Sequence, residues 1–324
     1  MAAHAWHSEE ADALVEAALR GIAEDVGGLG LRGLKGVVLG GGYGRGEGGV
    51  WEHGGPRKRS WGGAGDFGLS NDMDFFAVAE RGAGERTAAA IGRALEPVAA
   101  KWTAALGVDV EFSPKTPERL KHDEKRLMVQ ELLRGHCDVW GAGGAELFAG
   151  VERREAAALP WSEAARLLVN RGAVLLTVKE AGRDAEYVAR NIGKAVLAAG
   201  DARLMARGAY RWRAEERAAA LGEELYARAL DWKFRPKPEP PCDWEEAQKA
   251  WLDAVAVVRA AGEAGGRERT FREAARWVAR RRTLGHWRTL GWEPVARILE
   301  ELEDAVRKGD GLPEEMRKDW VVFN

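Results

Sequence analysis

Cysteine is scarce in this chain. Only Cys137 and Cys242 occur in 324 residues, and neither belongs to a C-x-x-C pair. Two thiols are too few for a disulfide framework, so we expect both to be reduced and structural. The histidines His122 and His136 are too scattered around Cys137 to predict a zinc site.

Long apolar runs are also missing. No stretch approaches the roughly 18 continuous apolar residues that a membrane span requires. The N-terminus lacks the basic start and apolar run of a secretory signal. Hydrophobic residues make up 46% of the chain and charged residues 31%, as in soluble globular proteins. We therefore expect a soluble, cytoplasmic protein with no membrane partner.

The chain has no excess of positive charge. Its formal net charge is −2 and its pI is about 6.4, which removes the global basic field that many nucleic-acid binders use. Two short basic runs, Pro56–Arg59 and Arg280–Arg282, are more typical of solvated surface. Nucleic acid stays open as a partner but is not favoured.

Two common nucleotide-binding motifs are absent or misplaced. The chain has no G-x-x-x-x-G-K-[ST], which excludes a P-loop. Residues 44–49 fit G-x-G-x-x-G, but a Rossmann site requires a helix to begin there, and the following segment, rich in Gly, Pro and Trp, has no helical pattern. We therefore do not expect a dinucleotide-binding fold.

The chain does have a clear change of pattern near its middle. The first half mixes helix-like and strand-like periods, whereas residues from Trp161 onward are helical in pattern. We predict an α/β domain over residues 1–150, with a small mixed sheet flanked by helices, and an all-α domain over residues 151–324. The proline-rich segment 235–243 cannot be helix and is a candidate subdomain break.

The hydrophobic periods and turn residues predict individual elements. The glycine-rich segment 40–49 cannot be ordinary helix, and residues 50–70 lack any period and are expected to be a loop. Helices are predicted from the Ser8 cap to about Val26, at Thr87–Leu106, from Ser162, at 185–206, around Trp251–Val258, from Thr270 and at Val295–Val306. Strands are predicted at Gly36–Leu39, Met73–Val78 and Val108–Phe112.

Acidic residues alternate with apolar ones on two of these strands. Residues two apart on a strand project to the same face, with a rise of roughly 6.6 Å. Asp72 and Asp74 therefore present two carboxylates side by side. Asp109 and Glu111 show the same alternation, and a neighbouring strand would bring at least one of them to the first pair.

Such a group of acids favours a divalent cation. Two carboxylates about 5 Å apart repel by roughly 3 kcal/mol when nothing neutralises them. Their hard oxygen atoms suit Mg²⁺ or Mn²⁺, and two such ions could clamp the oxygens of a phosphoryl displacement. In the preceding turn, Gly41 and Gly42 let backbone N–H groups approach a triphosphate, and Arg45 can offer a forked cationic contact.

The turn Gly41–Glu47, followed by Asn71–Phe75 and Val108–Val110, resembles the Gly-Gly/Ser turn, D-x-D pair and third acid of the DNA polymerase β-like nucleotidyltransferases. The resemblance covers roughly residues 36–112. It departs from the family pattern at Gly42, which is often Ser, and in a longer interval between Gly46 and Asp72. Both departures leave the acids intact.

The resemblance implies roles for individual residues. Asp72 and Asp74 would be metal ligands, and Asp109 the third carboxylate and general base, with Glu111 as the alternative third acid. Gly41 and Gly42 would lie against the NTP phosphates.

Within the superfamily, the chain is most similar to the antibiotic (kanamycin-type) nucleotidyltransferases, in which a helical C-terminal domain closes over nucleotide and acceptor. Lys194, on the helix predicted at 185–206, would then bind the nucleotide. The implied activity moves an NMP from an NTP to a hydroxyl of a small molecule, a protein or an RNA end, and releases pyrophosphate. Two alternatives stay open: an NTP-binding regulatory module without turnover, and a toxin–antitoxin component acting on RNA or a partner protein.

Overall fold

The computed structural model describes residues 3–53, 55, 59–62, 67–160, 162–180, 182–264 and 302–309. The run Arg280–Arg282 and the helix start at Thr270 lie outside the described residues, as do residues 56–58 of the other basic run. The last predicted helix, Val295–Val306, is described only from residue 302 onward. Residues 302–308 are helical. The chain divides into two compact units, Met1–Arg154 with Phe234–Pro236 and Glu155–Lys233 with Lys237–Asn324.

The first unit contains a four-stranded mixed sheet in the order β5-β4-β1-β6, together with a two-stranded pair, β2-β3. Its strands are β1 (Leu34–Leu39), β2 (Val50–Trp51), β3 (Gly68–Leu69), β4 (Met73–Ala79), β5 (Val110–Lys115) and β6 (Cys137–Gly141). Strand β1 runs antiparallel to β4 and β6, whereas β4 and β5 are parallel. The predicted small mixed sheet is confirmed, and β6 is an addition to it.

Among the described residues of the first unit, six helices flank this sheet. They are α1 (Glu9–Gly28), α2 (Gly41–Gly44), α3 (Glu85–Leu106), α4 (Pro117–His122), α5 (Leu127–Arg134) and α6 (Gly144–Leu147). Ser8 caps α1 as predicted, since its hydroxyl oxygen accepts the N–H of Ala11 at 3.2 Å. The left-handed Gly107, at φ +74°, ends α3 and allows the chain to turn into β5.

Each face of the sheet is covered by its own apolar cluster. On β4, Met73 and Phe75 pack with residues of α1 and α3, whereas Phe76 and Val78 pack with residues of α4, α5 and α6. The alternation follows from the two-residue period of a strand. Strand β4 is therefore apolar on both faces, and Asp74 is its one ionisable residue.

Three sequence predictions in this unit need correction. Gly41–Gly44 form a short helix, although the segment was expected to be non-helical; the turn is only four residues long and ends at Arg45. Residues 50–70 are not loop throughout, because β2 pairs with β3. The third strand begins at Val110 rather than at Val108.

In the part of the second unit that the structure describes, the regular elements are all helices. Its helices are α7 (Ser162–Thr177), α8 (Ala185–Ala206), α9 (Ala214–Leu221), α10 (Glu224–Phe234) and α11 (Trp244–Ala264), preceded by a 3₁₀ turn at Ala156–Ala158. Helix α7 is unbroken at Gly172, where a Cβ atom would collide with the ring of Trp251. The Trp251 indole N–H also donates to the carbonyl of Leu168 at 2.9 Å, so these contacts join α7 to α11.

The proline-rich segment behaves as its composition predicts, since residues 235–243 are non-helical between α10 and α11. Together, the sheet of the first unit and the helices of the second confirm an α/β arrangement followed by a helical one. Among the described residues, no helix combines the length and the apolar character needed to cross a membrane.

Candidate functional site

The two acidic pairs, Asp72 with Asp74 and Asp109 with Glu111, lie beside each other where the parallel strands β4 and β5 begin. We call these four residues the acidic edge. Met73 pairs with Val110, and Asp74 pairs with Glu111. The N–H of Met73 donates to the carbonyl of Asp109 at 2.8 Å, which extends the pairing to the residue just before β5. The segments 72–74 and 109–111 therefore run side by side in register.

Asp74 stands out because of where it lies in β4. Strands paired on both sides and covered on both faces are normally apolar, and a carboxylate there loses favourable hydration unless something compensates it. Asp74 is half-buried, as are Asp72 and Asp109, whereas Glu111 is exposed. By strand alternation, Asp74 shares the face of Phe76 and its cross-strand neighbour Glu111.

The glycine-rich turn contacts this strand directly. The N–H of Gly40 donates to the carbonyl of Asp74 at 2.8 Å. Gly41 has φ +62°, a left-handed conformation that favours glycine. A Cβ atom at Gly41 would collide with Oδ2 of Asp74. The turn and the acidic strand are thus in contact through a position that only glycine fits.

Tyr43 and Asn71 hold the turn in place. The Tyr43 ring is fully buried, its hydroxyl donates to the carbonyl of Gly49 at 2.8 Å, and it accepts the N–H of Ser70 at 3.1 Å. Burial raises the pKa of the Tyr43 hydroxyl, so the hydroxyl stays protonated. The side-chain oxygen of Asn71 accepts the N–H of Gly49 at 2.5 Å. Both residues lie in the predicted motif, but no sequence pattern indicates these anchoring bonds.

Arg45 is engaged with two carboxylates of the protein. Its Nε lies 3.4 Å from Oε2 of Glu47, and its Nη1 lies 3.3 Å from Oε2 of Glu131. The side chain of Glu47 is only 3% exposed, so Arg45 compensates a buried charge. The predicted forked contact of Arg45 with a phosphate would compete with these ion pairs and stays a prediction.

The acidic edge supplies the oxygen donors that Mg²⁺ or Mn²⁺ prefer. Within the described residues, however, no group of three or more His, Cys, Asp and Glu side chains is placed to hold a metal ion. Asp72, Asp74, Asp109 and Glu111 all have interactions with other groups of the protein. The donor chemistry fits a divalent cation, and binding one would require the carboxylates to turn from these partners toward it.

The remaining predicted residues are placed as follows. Gly42 packs against the carbonyl of Glu47, which its Cβ atom would approach to 3.2 Å. Its own carbonyl accepts the N–H of Glu47 at 2.9 Å. Lys194 lies on α8 of the second unit, so its role in nucleotide binding stays a prediction. Asp72, Asp74, Asp109, Glu111, Gly41 and Gly42 all belong to the first unit.

Comparison with known proteins adds no further assignment. No family model matches the chain, and no curated protein matches its sequence. The resemblance to the polymerase β-like superfamily therefore rests on the motif and on the arrangement of its residues.

Proposed function

We propose that the chain is a metal-dependent nucleotidyltransferase that moves an NMP from an NTP to a hydroxyl acceptor. The observation that supports this most is the in-register alignment of residues 72–74 with residues 109–111, next to Gly41. Two strands supply the acidic residues, and the glycine turn that would approach the phosphates lies next to them. An acidic residue in a strand that is otherwise apolar is costly to keep, which favours a functional role.

Each residue has a proposed role. Asp72 and Asp74 would hold the divalent cation together with Asp109 or Glu111. The bound cation would supply charge neutralisation for the triphosphate. Asp109 would accept the proton of the acceptor hydroxyl. Gly41 and Gly42 would lie against the phosphates, since the N–H groups of Gly40, Gly44, Arg45 and Glu47 are already bonded to carbonyl oxygens.

The test is transfer of label from each of the four NTPs, α-³²P-labelled, in the presence of Mg²⁺ and a cell extract. The size of the labelled fraction then distinguishes a small-molecule, protein or RNA acceptor. Asp72→Asn should abolish transfer without unfolding the protein. Glu80→Gln is the matched control, because Glu80 is an exposed acid just beyond the opposite end of β4. Full activity of Asp72→Asn would rule out the proposed role of Asp72.

A second candidate function is NTP binding without turnover. It is favoured by the lack, among the described residues, of three acids already grouped for a metal. Calorimetric titration with each NTP and Mg²⁺ separates the two functions. Binding without pyrophosphate release, for every NTP and in the presence of extract, would indicate the regulatory module. A protein that copurifies tightly and takes up label would instead indicate the toxin–antitoxin alternative.

A further inference from the structure

A second group of reactive side chains lies in the first unit, around Cys137. This residue begins β6 and pairs with Leu39 of β1. Its Sγ lies 3.5 Å from Nδ1 of His4. On the other side of the ring, Nε2 of His4 lies 3.1 Å from Oε1 of Glu16. A thiol, an imidazole and a carboxylate are thus joined in a row.

The imidazole in this row is firmly held. His4 is 1% exposed, and its backbone N–H donates to Oδ1 of Asp12 at 2.7 Å. Nδ1 of the ring also lies 3.3 Å from the carbonyl of Tyr43. Glu16 projects from α1 and orients the far side of the ring. This order, in which a third group orients a base beside a nucleophile, is the arrangement that activates thiols.

The three side chains line a cavity of about 420 Å³, which is large enough for a small molecule. Cys137 is partly exposed. Arg20 and Asp138 also line this cavity, with side chains 70% and 61% exposed. The cavity therefore combines a thiol with charged groups of both signs, which suits a small polar ligand that carries both charges.

This group is separate from the acidic edge. Cys137 and Val139 pack with the apolar cluster of α1 and α3, whereas Asp74 shares the opposite face of the sheet with Phe76. The group does contact the glycine-rich turn, because Nδ1 of His4 lies 3.3 Å from the carbonyl of Tyr43 and Sγ of Cys137 lies 3.9 Å from the carbonyl of Gly44.

The charge on His4 favours reaction at the sulfur. Burial alone lowers the pKa of His4, but hydrogen bonds to Cys137 and Glu16 outweigh it and raise the pKa to about 9. A cationic ring beside Sγ stabilises the negative charge that the sulfur carries when it attacks. Cys242 has the opposite surroundings, since it is buried and its burial raises the pKa of the thiol to about 12.

We propose that Cys137 is a modification site, where His4 and Glu16 activate the thiol for exchange with a small polar disulfide entering the cavity. The Cys137 sulfur attacks one sulfur of the disulfide, so that a new S–S bond forms while the old one breaks. His4 keeps its proton and stabilises the attacking thiolate, the thiol proton is released to water, and the leaving thiolate takes up a proton from water. One thiol and one disulfide stand on each side of the reaction, and no other oxidant is consumed.

The experiment treats the full chain with oxidised glutathione at pH 7.5 and follows the mass of each cysteine-containing peptide. Cys137 should form the mixed disulfide at least about 10-fold faster than Cys242, and dithiothreitol should reverse it. Equal rates at the two cysteines, or reaction at Cys242 first, would overturn the proposal.

Two variants test whether the Cys137 thiol is activated by its neighbours or reacts only because it is accessible. His4→Gln and Glu16→Gln should each slow the reaction of Cys137 by about 10-fold. Glu16 is partly exposed, so its variant tests the idea even where loss of the buried His4 unfolds the protein. Glu24→Gln is the matched control, an exposed acid of the same helix outside the cavity lining. If Cys137 reacts in Glu16→Gln as fast as in the control, it is an exposed thiol and not an activated one.

Discussion

Asp74 of β4 and Glu111 of β5 are cross-strand neighbours in a parallel pair. Earlier in the same register, Asp109 aligns with Asp72, since the N–H of Met73 donates to the carbonyl of Asp109. The structure thus places two acids of the second segment beside two of the first. Glu111 is the direct neighbour of Asp74, whereas Asp109 is the more buried of the two. Asp109 and Glu111 therefore both stay candidates for the proposed third carboxylate.

We predict that Asp109→Asn lowers nucleotidyl transfer far more than Glu111→Gln does. A half-buried carboxylate attracts a cation more strongly than an exposed one, because less water screens the interaction. The expected loss is about 1000-fold for Asp109→Asn and under about 10-fold for Glu111→Gln. Rates of label transfer at saturating Mg²⁺ measure both. A larger loss in Glu111→Gln would assign the third carboxylate to Glu111.

Replacement of Gly41 should damage both stability and the site. Gly41→Ala forces a side chain into a left-handed backbone and against Oδ2 of Asp74. We expect the free energy of unfolding in urea to fall by about 3 kcal/mol, with loss of label transfer. Gly30→Ala is the control, because Gly30 has φ +55° and no atom near its Cβ position. It should lose only about 1 kcal/mol, from backbone strain alone. Equal losses in the two variants would show that the contact with Asp74 is unimportant.

Much of the first unit could be predicted from local sequence. Ser8 has a residue type that caps helices, and the apolar alternation of β4 needs no knowledge of the rest of the chain. The acidic alternation around Asp74 was equally visible. These features are encoded within a few residues of each other, which is why sequence patterns find them.

Features that depend on distant partners could not be predicted. The residues of β6 carry no strong alternation, and the strand forms because β1 offers it an open edge. The row formed by His4, Glu16 and Cys137 joins residues up to 133 positions apart, so no spacing rule could find it. Cys137, expected to be structural, lies 3.5 Å from Nδ1 of His4. The short helix Gly41–Gly44 is not expected from its glycine content; just before it, the N–H of Gly40 is bonded to the carbonyl of Asp74 in β4.

Arg45 should matter for stability whether or not it binds phosphate. Arg45→Met leaves the buried carboxylate of Glu47 without its cation, and an uncompensated buried charge costs about 3 kcal/mol. Urea unfolding measures this change in free energy. Arg20→Met is the control, because Arg20 is 70% exposed and its ion pair with Glu16 is 4.0 Å long. We expect it to change stability by less than about 0.5 kcal/mol. A comparably small effect of Arg45→Met would mean that Glu47 is compensated by other groups.

The stability of the first unit should depend on pH through His4. Its pKa is raised from 6.5 in the unfolded chain to about 9 in the fold, so the folded state holds a proton that the unfolded state loses. The resulting stabilisation is fully present below pH 6.5 and is lost as the pH rises through 9. At most, it amounts to about 3 kcal/mol.

His4→Gln should therefore flatten the fall in unfolding free energy between pH 6.5 and 9, measured by urea unfolding at intervals of pH. Cys137→Ala removes one of the hydrogen-bond partners that raise the pKa of His4, so its curve should lie between those of wild type and His4→Gln. Glu24→Gln, which leaves the three-residue row intact, should follow the wild-type curve. Parallel curves for wild type and His4→Gln across this window would mean that His4 titrates in the fold as it does in the unfolded chain, and that the row with Cys137 and Glu16 does not hold its proton.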